Sequence, residues 1–177
     1  ANQLYGNERL RALQRKDGRF CNTAMKATLL GHLVSDGYED GWVVSGVGGQ
    51  YNFVAMAHAL DDGRLVMMVK STRHEGARVL SNIVYNYGHV TIPRHLRDLV
   101  VTEYGIADLR GKSDQEVMKA MLAITDSRFQ DELLAEAKHR RKLPDDYAIP
   151  DEYRQNTPER LAAALKPFKR DGGFAPF

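Results

Sequence analysis

Two uninterrupted apolar runs constrain this chain more than anything else in it. Leu65-Val66-Met67-Met68-Val69 has no polar residue to turn toward water, and Leu99-Val100-Val101 continues through Thr102 straight into Glu103. Runs of this kind predict strands buried on both faces, the condition of a parallel sheet covered by helices. Ligands of open α/β sheets collect outside the carboxyl ends of such strands. The segment Val100 to Gly111, with Glu103, Gly105 and Arg110 just past the apolar run, therefore marks a candidate site. A second junction has the same form. Trp42-Val43-Val44-Ser45 reads as a strand running into Gly46-Val47-Gly48-Gly49-Gln50, with a helix expected from about Gln50 to Leu60.

The rest of the chain alternates in the same way. Residues 4 to 15 predict a helix with Leu4, Leu10 and Leu13 as its apolar positions, ended by Gly18. Phe20 to Leu30 reads as a strand, and Ser35-Asp36-Gly37, Asp40-Gly41 and Asp61-Asp62-Gly63 are turn signals. Phe53, Met56, Ala57 and Leu60 give the helix after the glycines an apolar face. Arg64 to Lys70 is the doubly buried strand, followed by short strands at Ile83 to Tyr85 and His89 to Thr91. Ser113 and Glu116 form a capping-box pair ahead of Val117, Met121 and Ile124. A further helix from about Ser127 carries Phe129, Leu133 and Ala137, and Thr157-Pro158 predicts a last short helix closed by Pro167. Strands alternating with helices predict an α/β class with an open mixed, mostly parallel sheet.

Composition excludes several functions. A net charge of +2 does not argue for nucleic acid, and the basic cluster Lys138 to Lys142 reads as a solvated helix end. One cysteine, Cys21, allows no internal disulfide and is expected to be a small buried thiol. No apolar run approaches membrane-spanning length and no signal peptide is visible, so a cytoplasmic setting is expected. The six histidines lack metal-ligand spacing, and no metal is expected. The chain begins at Ala1 without methionine and stops after Gly172-Gly173-Phe174-Ala175-Pro176-Phe177, which reads as a piece excised from a longer protein.

The glycine loop allows three readings. Glycines let backbone N–H groups approach a ligand closely, and the following helix adds its positive end. The ligand is then a phosphate, or the oxyanion that develops on a thioester or acyl carbonyl. The third reading is a tight turn that merely needs glycine. Nucleotide fingerprints are incomplete: Tyr51 stands where the dinucleotide motif needs glycine, and the Lys-Ser/Thr pair of a P-loop is absent. Glu103 is open between general base, orienting acceptor and a structural carboxylate tied to Arg110.

Four ordered blocks give the chain a family likeness: Asn22-Thr23-Ala24; Gly46-Val47-Gly48-Gly49-Gln50 with Phe53; Ser81 with Ile83-Val84; and Val100 to Gly111. From Phe20 to Lys138 it resembles the C-terminal domain of the acetyl-CoA hydrolase/CoA-transferase family, which includes succinyl-CoA:acetate and butyrate-type CoA-transferases. The resemblance implies a CoA-transferase-like (NagB/RpiA-like) domain at residues 20–142. A helical lead-in at 1–19 and an extension with a short helix at 143–177 fall outside it. It also implies a related N-terminal domain as partner, with the active site between the two.

In such enzymes a glutamate attacks an acyl-CoA thioester, and the glutamyl-CoA thioester passes CoA to an acceptor acid or to water. Coenzyme A is thus the implied substrate, with acyl-CoA and a small carboxylic acid as partners and a homo-oligomer left open. By likeness, Gly48 and Gly49 belong to the family's GxGG loop, which offers N–H groups to the carbonyl oxygen. Asn22 and Glu103 match polar residues that position the reacting centre, and Gly46, Val47, Gln50, Gly105 and Arg110 are expected to contact CoA or the acyl group. The nucleophile belongs to a His/Tyr-Ser/Thr-Glu motif in the family's N-terminal part, and no such motif precedes Asn22. The family usually has Asp at Asn52, Arg at Asn82, and Glu-Arg-Ala at Gln115-Glu116-Val117. These departures leave room for a non-catalytic CoA-binding or assembly module that keeps the fold.

Overall fold

The computed structural model of the chain describes residues 7–170. Its elements run α1 (Glu8–Gln14), β1 (Arg19–Thr23), β2 (Lys26–Thr28), β3 (Leu33–Val34), α2 (Gln50–His58), β4 (Arg64–Met68), β5 (Thr72–Glu75), β6 (Arg78–Ser81), β7 (Ile83–Val84), β8 (Leu99–Thr102), β9 (Gly105–Asp108), α3 (Asp114–Ala123), α4 (Ser127–His139) and α5 (Pro158–Arg170). The longest apolar run becomes the interior strand it predicts. β1 and β8 pair with β4 in parallel, and β9 folds back antiparallel on β8, giving the order β1-β4-β8-β9. A smaller sheet has the order β3-β2-β7, and β5 and β6 form a hairpin.

The main sheet buries one face only. Leu65, Met67, Val100 and Ala107 share that face and join Val54, Ala57, Val117 and Met121 in the core. α2 packs on β1 and β4, and α3 packs on β9. Each Val, Leu or Met side chain fully buried there contributes about 1.5–3 kcal/mol. The opposite face carries Cys21, Met68 and Ile106, all exposed. The expectation of a strand buried on both faces is therefore corrected for β4, whose burial alternates along its length. Cys21 is corrected likewise, because its position on β1 points to the side that α2 does not cover.

Other local expectations fail for lack of a partner. Trp42 to Ser45 forms no strand: Val43 makes a single bridge to Gly37, while Trp42 and Val43 stay about two-thirds exposed at 68% and 64%. Phe20 to Leu30 divides into β1 and β2, which belong to different sheets. His89 to Thr91 is irregular, and α5 runs on through Pro167. Leu10 and Leu13 are exposed on α1, and Leu4 lies outside the described residues.

The capping box is present as predicted. The Glu116 side chain accepts from Ser113 N at 2.8 Å, and Ser113 Oγ accepts from Glu116 N. Ser113→Ala is expected to cost about 1 kcal/mol of stability in urea unfolding. A loss below about 0.3 kcal/mol would show that water replaces the cap without penalty.

The amino edge of the sheet is tied by one buried carboxylate. Asp98, fully buried, accepts from Arg64 Nε at 2.8 Å, from Leu65 N at 2.7 Å and from the Arg110 guanidinium at 2.6 Å. Three neighbouring strands thus converge on a single side chain.

Candidate active site

The carboxyl edge of the parallel strands gathers most of the residues singled out from sequence. Parallel register puts Thr23, Met68 and Val101 side by side at this edge. Glu103 follows at once, in the tight turn between β8 and β9. Adjacent strands lie about 4.8 Å apart, so Thr23 and Val101 are roughly 10 Å from each other. An opening of about 550 Å³ lies here, lined by Thr23, Met25, Met68, Lys70, Val101 and Glu103 among others.

The glycine loop reaches the same edge through Gln50. This side chain is buried, and its Nε2 donates to Thr23 O at 2.8 Å, which fastens the first turn of α2 to the end of β1. Its Oε1 is buried without a partner. Gly49 is the N-cap of α2 without a side-chain cap, and Gly48 has φ +60°, the left-handed region where glycine alone is unstrained. Among the described residues the N–H groups of Gly48 and Gly49 donate to nothing. Gly46 and Val47 are exposed, and none of the residues from Gly46 to Gln50 lines the opening. The loop opens a helix, as expected, but no strand leads into it.

Glu103 is exposed, and its Oε2 accepts from Ser71 N at 2.8 Å. Ser71 is itself fixed, its Oγ accepting from Asp126 N at 2.8 Å. Asp126 caps α4 and accepts from Arg128 N and from the Arg128 guanidinium. Burial pushes the Asp126 carboxyl up, but these hydrogen bonds outweigh it and hold the group below the usual carboxylate range. Tyr104 donates to Asp126 Oδ2 at 2.8 Å. Burial first, and that hydrogen bond second, push its phenol well above the ordinary value and keep it neutral. Glu103 is therefore a solvated carboxylate aimed by one backbone N–H, suited to orienting a neighbour.

Asn22 sits on β1 one residue before Thr23, partly buried, with its Oδ1 accepting from Thr23 N at 2.8 Å. Gly105 opens β9 opposite Thr102, and a side chain there would press on Ile124 at 3.3 Å. Arg110 does not join this edge, and neither a Glu103–Arg110 pair nor a shared site forms. The reason is topological. β9 runs antiparallel to β8, so the four residues after Glu103–Tyr104 carry the chain back across the sheet, about 13 Å at strand rise. Arg110 ends beside Asp98 and donates to Gly63 O at 2.9 Å. It is a clamp on the amino edge.

Sequence reasoning missed Lys70, Ser71 and Met25. Lys70 ends the apolar run of β4, which by itself signals that a cation stands at the strand's carboxyl end. Asn82 is explained by geometry: its Nδ2 donates to Lys70 O at 2.9 Å and its Oδ1 accepts from Arg73 at 3.1 Å. An arginine thus still stands at this spot, supplied from β5. The Asn52 side chain has no hydrogen bond among the described residues, and nothing in the structure explains that departure.

Comparison with known proteins bears on the chain as a whole. A family model described as the acetyl-CoA hydrolase/transferase C-terminal domain matches residues 1–137. The chain is 31% identical over 122 residues to a 4-hydroxybutyrate coenzyme A transferase of Clostridium kluyveri, covering 67% of this chain and 28% of that protein. It is 38% identical over 98 residues to a probable butyrate:acetyl-CoA coenzyme A-transferase of Syntrophomonas wolfei, covering 54% and 22%. The crystal structure of RipA from Yersinia pestis superposes with a TM-score of 0.65 at 29% identity, over 76% of this chain and 30% of that one. The chain thus spans less than a third of the length of these relatives.

Proposed function

The chain belongs to the acetyl-CoA hydrolase/transferase family as a C-terminal domain, and we propose from this premise that it supplies half of an acyl-CoA:carboxylate CoA-transferase or acyl-CoA hydrolase site. The free N–H groups of Gly48 and Gly49, at the same sheet edge as Glu103, carry this reading. Donors already fixed at the positive end of α2 suit an oxyanion that forms on a thioester carbonyl, since no reorganisation is needed as charge develops. Glu103 and Asn22 orient the reacting groups, and the attacking glutamate comes from a segment outside residues 1–177. Trp42, Val43, Val47 and Tyr51 surround the glycines with exposed apolar surface, which favours a neighbouring segment packing over the loop. CoA and a small carboxylic acid are the substrates in this reading.

The 177-residue chain alone is expected to show only background rates with acetyl-, propionyl- and succinyl-CoA, because the attacking carboxylate is not on it. Steady-state thiol release and CoA transfer to acetate are the measurements. Robust turnover that Glu103→Gln abolishes would overturn this and make Glu103 the nucleophile.

A further inference from the structure

Glu103 is exposed, yet buried groups hold the turn that carries it from both sides. Thr102, the residue before it, is buried, and its Oγ1 donates to Ile124 O at 2.7 Å and accepts from Tyr104 N at 3.2 Å. Tyr104, the residue after it, donates its phenolic proton to Asp126 Oδ2 at 2.8 Å. The Glu103 carboxylate itself accepts from Ser71 N, and Ser71 Oγ accepts from Asp126 N, both at 2.8 Å. All of these bonds lead from the turn at 102–104 to the α3–α4 connection at 124–126.

Asp126 is the residue on which two of these routes meet. It is fully buried, and its carboxylate takes the Arg128 N–H, the Arg128 guanidinium and the Tyr104 hydroxyl. Hydrogen bonds to an ionised carboxylate are shorter and stronger than neutral ones, so this acceptor holds Tyr104 in one place. A phenol has a single proton to donate, and here it is committed to Asp126. Tyr104 therefore does not act as a proton donor to a substrate, and what its bond can do is fix the backbone next to Glu103. An unanchored glutamate side chain samples many rotamers, and ordering it costs conformational entropy.

We infer that Tyr104 is a positioning residue for Glu103: its bond to Asp126 locks the β8–β9 turn and, with Ser71, gives the Glu103 carboxylate one orientation before a substrate enters. This inference rests on the reading of Glu103 as a group that orients the reacting atoms. Misplacing such a group by about 1 Å costs on the order of a hundredfold in rate. Loss of one anchor among several should cost less, about tenfold in kcat. Substrate binding should change little, because the turn is held for the reacting geometry and not for affinity.

NMR on the isotope-labelled 177-residue chain tests the geometry without any assay of turnover. In the unsubstituted chain the couplings of Glu103 should report a single χ1 rotamer, and averaged couplings would overturn the assignment. Tyr104→Phe should move the Ser71 amide proton signal in the direction that Glu103→Gln moves it, and an unmoved signal would overturn it too. Kinetics in an active enzyme that contains this domain form the second arm. Tyr104→Phe is expected to lower kcat about tenfold with KM kept within about twofold. In a Glu103→Gln background the same change should alter kcat by less than about twofold, because Tyr104 acts only through Glu103. Equal losses in both backgrounds would make Tyr104 merely structural. No loss in Tyr104→Phe, while Glu103→Gln is slow, would overturn this inference alone. An unchanged kcat in Glu103→Gln would overturn the catalytic reading of Glu103, and this inference with it. The rotamer measurement needs no variant, so it decides even if Tyr104→Phe fails to fold.

Discussion

Replacing Gly48 by alanine, in an active enzyme that contains this domain, is expected to lower kcat by about a hundredfold or more, with little change in apparent affinity for CoA. Gly48 has φ +60°, and nothing within 4 Å would meet an added Cβ, so the loop has room for the methyl group but not the backbone shape. A non-glycine residue held in the left-handed region costs about 1–2 kcal/mol, and an exposed loop escapes that cost by moving. Moving it displaces the unpaired N–H groups of Gly48 and Gly49. Loss of one oxyanion donor typically costs about 2.7–4 kcal/mol of transition-state stabilisation. Gly49 provides the control. Its φ of −87° suits any residue, so Gly49→Ala should leave the loop in position and reduce turnover far less. Thermal melting belongs beside the kinetics, because alanine at positive φ also destabilises. Equal rates for Gly48→Ala and the parent, with the fold intact, would make the loop a plain turn.

Asp98→Ala is expected to destabilise the isolated chain by about 3 kcal/mol, the low end of the range for breaking a buried ion pair. Two guanidiniums and the Leu65 N–H lose their common acceptor at once. The estimate sits at the low end because Arg64 and Arg110 are 28% and 34% exposed, and water can rehydrate part of each. For a domain of this size the midpoint of thermal unfolding should fall by about 10 °C. Asp98→Asn keeps an acceptor for Leu65 N and should lose less. The Arg78–Glu75 pair is the contrast: both side chains are mostly exposed, at 75% and 61%, so Glu75→Ala should cost no more than about 1 kcal/mol. A loss near 1 kcal/mol for Asp98→Ala would mean that the amino edge of the sheet is held by packing alone.

Much of the architecture was legible in the residues because its causes are local. The helical period after the glycines, the Ser113–Glu116 cap and the apolar run of β4 act within a few residues of themselves. Each appears where the sequence predicts it. Gly48 belongs here too, since a positive φ is a property of one residue. The likeness to a CoA-transferase domain was equally legible, carried by motif blocks that need no contact map.

Pairing over distance was not legible. Trp42 to Ser45 has the composition of a strand, yet a strand needs a neighbour with free N–H and C=O groups, and the described fold offers Val43 only one bridge. Arg110 and Glu103 are near in sequence and at opposite edges in space, because one hairpin reverses the chain between them. Its true partner, Asp98, lies before β8 and also binds Arg64 from the start of β4. The sequence by itself determined the helices, the glycine turn and the family, through propensities and motifs written within short windows. Tertiary structure alone decided which charges meet and which face of the sheet is covered, because both depend on register between residues far apart in the chain.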